Sequence, residues 1–315
     1  MMIACSDSSA DYSEAAAWLG KSSVASPPFA ATASPLHHAV DAETRVLRPA
    51  DEEQRFVLKV WHDDLSQRTD GHAVFAMTQA ASRLGITPAP RLLLSGGRGF
   101  VMDHIGDGWM PARLHQLSTE DSLDRLLSAK RALHTLAPFP IDRNVFADIR
   151  DLAVKARPIA AHWPQEAEQM LVFASQLEQA LAASGIDHVP GHADGVSSNV
   201  MLRKDGALQL IDFDEAGNVD PLFDLAVVLN ELFPLDEARQ LQVLEAVEGQ
   251  VSRSSRARIA AYAFADDLKW ALWGLFMDAS SPRRHLEFLK YGQWRWLRCQ
   301  MAAAGMNQQE LVCHV

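Results

Sequence analysis

Gly191-His-Ala-Asp-Gly-Val-Ser-Ser-Asn199, followed after a short hairpin by Leu210-Ile-Asp-Phe-Asp-Glu215, is the most informative stretch of this 315-residue chain. Between its two halves, Val200 to Arg203 and Ala207 to Asp212 read as strands turning at Lys204-Asp-Gly206. The hairpin predicts three oxygen-bearing side chains, Asp194, Asn199 and Asp212, at one mouth. Phosphoryl transfer from ATP needs such a set. Mg²⁺ takes carboxylate and amide oxygens beside the phosphates, and an acceptor hydroxyl needs a carboxylate to orient it and take its proton. A lone His-x-Asp says little, whereas His-x-Asp-x4-Asn followed by a strand ending in Asp is a specific pattern.

Upstream of this stretch the chain first reads as extended. Glu43 to Arg48 and Gln54 to Trp61 flank a turn at Pro49 to Glu53, and Phe56, Leu58 and Val60 alternate with Arg55, Val57 and Lys59. A helix follows from about Asp70 to Leu84, closed by Gly85 and the Pro88/Pro90 pair. Two further strands, Arg91 to Leu94 and Phe100 to Met102, flank Ser95-Gly-Gly-Arg-Gly99. Beyond Gly106-Asp-Gly108 the pattern turns helical: Ser118 caps a helix to Leu136, Pro164 opens another that Gly185 stops, and Asp220 to about Ala304 is helical again. Residues 1–35 are rich in Ala, Ser and Pro and read as a loosely attached leader, partly ordered or flexible, with one helical patch at Ser13 to Leu19. The expected organisation is therefore a leader (1–35), a β-rich N-lobe (36–105) and a helical C-lobe (106–315).

Charge and composition exclude several classes. Lys and Arg number 29 against 40 Asp and Glu, a net −11 that argues against nucleic acid as a partner and suits a cationic small molecule. Cys5, Cys299 and Cys313 are odd in number and not closely paired, which points away from a disulfide framework or zinc site and towards the cytoplasm. No basic n-region precedes an apolar run at the N-terminus, so a signal peptide is not expected. Membrane insertion is not expected either, because even Ala257 to Ala279 is broken by Asp266, Asp267, Lys269 and Asp278.

On the catalytic motif quoted above, the chain resembles, over about residues 36–300, the kinase-like phosphotransferases that act on small molecules, the group of aminoglycoside phosphotransferases and choline/ethanolamine kinases. The resemblance implies an α+β, protein-kinase-like bilobal fold with a small β-rich N-lobe, a larger helical C-lobe, and ATP with Mg²⁺ as cofactors. Transferred by motif, it makes Asp194 the catalytic base or hydroxyl-orienting residue, Asn199 and Asp212 the Mg²⁺ ligands that complete the catalytic set, and His192 an architectural residue. Lys59 then binds the α- and β-phosphates, and Asp103-His104-Ile105 is the hinge where adenine meets backbone groups. Leu133-His134 also matches a pair common in the family, although a helical histidine more often packs than catalyses. Two departures stand out: the helix from Asp70 to Leu84 holds no Glu to pair with Lys59, so that either Asp70 or His72 substitutes or the ion pair is absent, and the expected phosphate loop, about Leu36 to Glu43, holds no glycine.

Two more stretches, Asn218-Val-Asp-Pro-Leu-Phe-Asp-Leu-Ala226 with Asn230-Glu231, and Asp266-Asp-Leu-Lys-Trp-Ala-Leu-Trp-Gly274, resemble the choline/ethanolamine kinase branch more than the antibiotic-modifying one. Two Trp three residues apart share a helical face. A quaternary ammonium has no N–H to donate, so aromatic faces and a carboxylate must recognise it. The resemblance makes Trp270 and Trp273 cage walls, Tyr291 a third wall and Glu231 the anionic partner. An aromatic stripe beside Trp294, Trp296, Phe276 and Phe288 also serves core packing. Glu215 stands where eukaryotic choline kinases tend to have an aromatic residue, which leaves room for ethanolamine or another amino alcohol. The expected activity is transfer of the γ-phosphate of ATP to the hydroxyl of such a small-molecule acceptor. An aminoglycoside- or sugar-type phosphotransferase and a kinase-like binding protein are the alternatives. The oligomeric state is left open, a dimer included.

Overall fold

The computed structural model describes residues 8–20, 23–34, 37–50, 53–65 and 69–315. Cys5, Leu36 at the start of the expected phosphate loop, and Asp51 and Glu52 of the turn after Pro49 lie outside the described residues.

The first part of the chain runs through α1 (Ser8–Leu19), β1 (Ser23–Ala25), β2 (Ala42–Pro49), β3 (Phe56–Trp61), α2 (Gly71–Ser82), β4 (Pro90–Leu93) and β5 (Gly99–Asp103). Its strands form one antiparallel sheet in the order β1-β2-β3-β5-β4. The alternation in β3 explains what each face does. Phe56, Leu58 and Val60 are buried in a core with Ala15, Leu47, Leu94 and Val101, and each large apolar side chain so buried contributes about 1.5–3 kcal/mol. Lys59 and Trp61 emerge on the opposite face. There the Trp61 ring meets Phe100 at 5.7 Å, and Phe100 meets Phe75 of α2 at 6.1 Å.

Within the expected leader, β1 joins this sheet and α1 packs against it. β1 pairs with β2 from Ser23↔Pro49 to Ala25↔Leu47, Ala15 is fully buried, and Trp18 stacks edge-on to Phe56 at 5.3 Å. The carboxylate of Glu14 accepts from the Ser95 amide at 3.0 Å. An edge strand is held by backbone hydrogen bonds, so a stretch with few large apolar groups still forms one.

The remaining elements are β6 (Trp109–Pro111), α3 (Leu114–Leu117), α4 (Glu120–Leu133), α5 (Val145–Ala156), α6 (Ala167–Ser184), β7 (Val189–Gly191), β8 (Val200–Arg203), β9 (Leu208–Leu210), β10 (Gly217–Val219), α7 (Pro221–Leu232), α8 (Glu237–Glu248), α9 (Arg253–Ser280), α10 (Phe288–Gly305) and α11 (Gln308–His314). The result is an α+β chain with a small antiparallel sheet region and a larger helical part. Ser118 ends α3 rather than opening the next helix, and Thr119 precedes α4. The helix expected from Pro164 begins at Ala167, whose amide reaches back to the Pro164 carbonyl at 3.2 Å. α5 was not foreseen, although Asn144 caps it by accepting from the Phe146 and Ala147 amides.

The chain divides into two compact units. One holds the elements up to Ile141 together with Ser198–Ala216, and the other holds Asp142–Ser197 and Gly217–Val315. In the first, β8 pairs with both β6 and β9. In the second, β7 pairs with β10, and the long α9 packs against α5, α7 and α10. Among the described residues, no helix is long and apolar enough to cross a membrane.

Candidate active site

In the first unit, Lys59 is carried by β3 into the company of the Asp212-Phe-Asp214 segment. Its ammonium donates to Asp212 Oδ1 at 2.8 Å and to Asp214 Oδ1 at 2.7 Å, and Trp61 Nε1 donates to Asp214 Oδ2 at 2.7 Å. Burial alone would favour neutral lysine, but Asp212 and then Asp214 outweigh it and hold the ammonium protonated above its usual range. Asp214 is largely covered, its side chain 11% exposed, and its carboxyl is pushed up to about 7, first by burial and then by Asp212, with Lys59 offsetting part of the rise. Asp70 is not the substitute partner considered from the sequence, because its carboxylate caps α2 through the His72 and Ala73 amides.

β9 ends at Leu210, and Asp212 lies beyond it at φ 65°, left-handed backbone that costs a non-glycine residue roughly 1–2 kcal/mol. The Ile211 amide donates to the Asn199 carbonyl at 2.9 Å, tying the two ends of the hairpin together. Asn199 and Asp212 therefore flank its mouth. Mg²⁺ fits this donor set: hard oxygens from a carboxylate and an amide, with the Asp212 side chain still 30% exposed. Among the described residues no cluster of three or more His, Cys, Asp or Glu suits a metal. The glycine-free loop before β2 places Ala39 at φ 51°, and Ser198 Oγ donates to the His37 carbonyl at 2.5 Å. At the expected adenine hinge, the Asp103 and His104 amides already donate to the Ala89 and Arg55 carbonyls at 2.9 and 3.1 Å, so any donor for a base comes from Ile105 onward. The Asp103 carboxylate is held by the Arg91 guanidinium.

In the second unit, α7 builds the seat of Asp194. Asp220 caps the helix and Pro221 occupies its first turn. From one face of α7, the buried Asp224 accepts the Ala193 amide at 2.7 Å and Glu231 accepts the Ser197 amide at 3.4 Å. Gly195 lies so close to this helix that a Cβ would stand 2.0 Å from the Val227 carbonyl oxygen. Ala193 takes φ 58°, and the Asp194 carboxylate closes the turn by accepting the Val196 amide at 2.8 Å. His192 is buried with Nδ1 3.4 Å from the Asp194 carbonyl oxygen.

The same unit gathers Trp270, Trp273 and Tyr291 from α9 and α10 into one cluster. Trp270 and Trp273 lie 5.5 Å apart, and Tyr291 is 6.2 and 5.9 Å from them, all edge to face. All three are buried, and the Lys269 ammonium sits 4.8 Å over the Trp270 ring. The Tyr291 phenol is held neutral, first by burial, with the carboxylates of Glu231, Asp266 and Asp194 adding to it and Arg295 opposing. Behind it, Arg295 pairs with Asp266 and with Asp267 at 2.9 Å, and Arg298 donates to the Asn230 carbonyl and side-chain oxygens at 2.6 Å each. Asn230 in turn donates to Asp266 at 3.0 Å, so the Asn230-Glu231 and Asp266-Asp267 stretches are partly the pins that join α7, α9 and α10.

Sequence reasoning missed Asp214, Trp61 and Asp224. The Asp212-Phe-Asp214 spacing, two acids close together at the end of the hairpin, was the one signal for Asp214.

Kinases and phosphotransferases of small molecules are the class this arrangement defines: a lysine strand facing an Asp/Asn hairpin in one unit, a braced catalytic-type Asp in the other. The chain belongs to the phosphotransferase enzyme family, whose family model matches residues 33–266. No curated protein matched it in sequence. Among solved structures, it is similar to a choline/ethanolamine kinase family protein from Mesorhizobium loti, at TM-score 0.71 and 21% identity over 86% of this chain and 88% of that one. It is similar also to the choline kinase LicA from Streptococcus pneumoniae, at TM-score 0.74 and 18% identity over 94% and 99% of the two chains; LicA has also been solved in complex with AMP. A thermostable mutant of the aminoglycoside phosphotransferase APH(4)-Ia matches at TM-score 0.56 and 18% identity over 84% and 92%. These likenesses show a kinase-like fold.

Proposed function

We propose that this phosphotransferase is a cytoplasmic, ATP- and Mg²⁺-dependent kinase whose acceptor is choline, ethanolamine or a similar amino alcohol. The observation that carries the acceptor is the cluster of Trp270, Trp273 and Tyr291 with Glu231 and Asp194 bearing on it. A cationic headgroup offered to such rings gains from their faces and from the nearby carboxylates. In the lobe division expected from the sequence, 36–105 grips the nucleotide and 106–315 supplies the catalytic loop and the acceptor site.

Asp194 orients the acceptor hydroxyl for in-line attack on the γ-phosphorus. As the new O–P bond forms and the bond to the β-phosphate bridging oxygen breaks, the hydroxyl proton passes to the Asp194 carboxylate and ADP leaves. Lys59 holds the α- and β-phosphates, and the base lies against the strand end near Ile105. Bound through Asn199 and Asp212, Mg²⁺ supplies charge neutralisation at the phosphates.

A screen with γ-labelled ATP tests the reading. Choline or ethanolamine becomes labelled, and Trp270→Ala weakens acceptor affinity roughly tenfold, on the scale of a desolvated cation–π contact. Labelling of aminoglycosides or sugars with none of amino alcohols would overturn the acceptor assignment. One observation favours that second reading: Lys269 already places a cation on one face of Trp270, so the indole could serve packing, and Trp270→Ala would then leave acceptor affinity unchanged.

A further inference from the structure

The helix that follows the lysine strand, α2, contains no Glu. Lys59 is nevertheless among the most constrained side chains of the first unit. Its side chain is 7% exposed, and its ammonium touches two carboxylates that differ in kind. Asp212 remains 30% exposed. Asp214 is 11% exposed, and both of its oxygens receive protein donors, Oδ1 from Lys59 at 2.7 Å and Oδ2 from the Trp61 indole at 2.7 Å. Trp61 closes the triangle, because the Lys59 ammonium also lies 5.5 Å from its ring centroid. Residues 59 and 61 share a sheet face by strand periodicity, so one strand supplies both the lysine and the donor that fixes the lysine's partner.

We propose that Asp214, fixed by Trp61, is the positioning residue for Lys59, and that this pair does the work a carboxylate on α2 would otherwise do. The inference rests on Lys59 being the phosphate-binding lysine of the proposed kinase. Neither Asp214 nor Trp61 needs to touch the nucleotide. Their effect passes through the lysine, whose ammonium is otherwise free to swing on four methylenes. One consequence is specific: the placement of Lys59 depends on the Asp212-Phe-Asp214 segment and not on α2.

Two measurements on the full-length chain test this. Trp61→Phe keeps an aromatic ring against Lys59 and Phe100 and removes only the N–H donor, and Asp214→Ala removes the acceptor. In the first measurement, an amine-acylating reagent is applied without ligand, and labelling of Lys59 is compared with that of the exposed Lys204 by peptide mass spectrometry. Wild-type Lys59 reacts slowly, and both variants raise its relative rate roughly tenfold, the scale of one lost hydrogen bond to a charged group. Rates unchanged from wild type in a variant that keeps its native circular dichroism overturn the proposal, and Asp214→Ala decides the matter if Trp61→Phe does not fold. In the second measurement, metal-free calorimetry compares ADP with adenosine. Trp61→Phe weakens ADP roughly tenfold, leaves adenosine unchanged, and adds nothing once Lys59→Ala is present. Equal weakening of ADP and adenosine, or an additive effect on top of Lys59→Ala, assigns Trp61 to packing alone and overturns the proposal. A wild-type protein that binds neither ligand defeats the nucleotide reading, while the labelling result still decides whether the pair holds the lysine.

Discussion

Asp194 is a half-buried carboxylate on a short loop, and its position is inherited from its neighbours: the Ala193 amide on Asp224, the Gly195 contact with Val227, and its own turn to the Val196 amide. A residue so braced can be truncated without moving the nucleotide grip. Asp194→Ala is expected to lower kcat by roughly 10²–10⁴-fold, the usual range for loss of a general base, while the dissociation constant for ATP measured by calorimetry stays within about threefold. A matching loss of ATP affinity would place Asp194 on the nucleotide instead. At this scale the sequence located elements where chemistry and spacing coincide: it put Asn199 and Asp212 at one hairpin mouth and Lys59 on a strand. It was unreadable where a role depends on a distant partner. Nothing local to Asp214 says that its oxygens belong to Lys59 and Trp61, and nothing in a helix without Glu says which acid takes its place.

At the scale of elements, α9 and α10 set the spacing of the aromatic cluster. They approach so closely that a Cβ on Gly274 would lie 2.5 Å from the Gly292 Cα. Backbone cannot yield there as a side chain can. Gly274→Ala is expected to destabilise the protein by about 1–3 kcal/mol through overpacking, read as a lower urea midpoint, and to weaken acceptor binding more than ATP binding, because Trp270 and Trp273 shift relative to Tyr291. Equal effects on both ligands would separate the helix contact from the acceptor site. The strands and helices with strong periodicity, such as β3 and α6, were legible to within a few residues. In the leader, the helical patch at Ser13 to Leu19 was legible and falls within α1, whereas β1 was not, because it forms through backbone pairing with β2, which composition does not register. The start of α4 was displaced because Ser118 and Thr119 are both good caps, and the short α3 takes the first as its C-cap.

For the molecule as a whole, the net charge of −11 matters less than where the acids lie. In the second unit, Asp266 and Asp267 pair with Arg295 and Arg298, and Glu231 and Asp194 bear on the Tyr291 phenol. A cationic acceptor gains from those carboxylates, and a neutral one of the same shape does not. The decisive measurement is therefore the ratio of kcat/KM for choline to that for 3,3-dimethylbutan-1-ol, its uncharged isostere, with ATP and Mg²⁺ saturating. Recognition of the cation by rings and carboxylate predicts a preference for choline of roughly 30-fold, about 2 kcal/mol. Equal turnover of the two alcohols would contradict it.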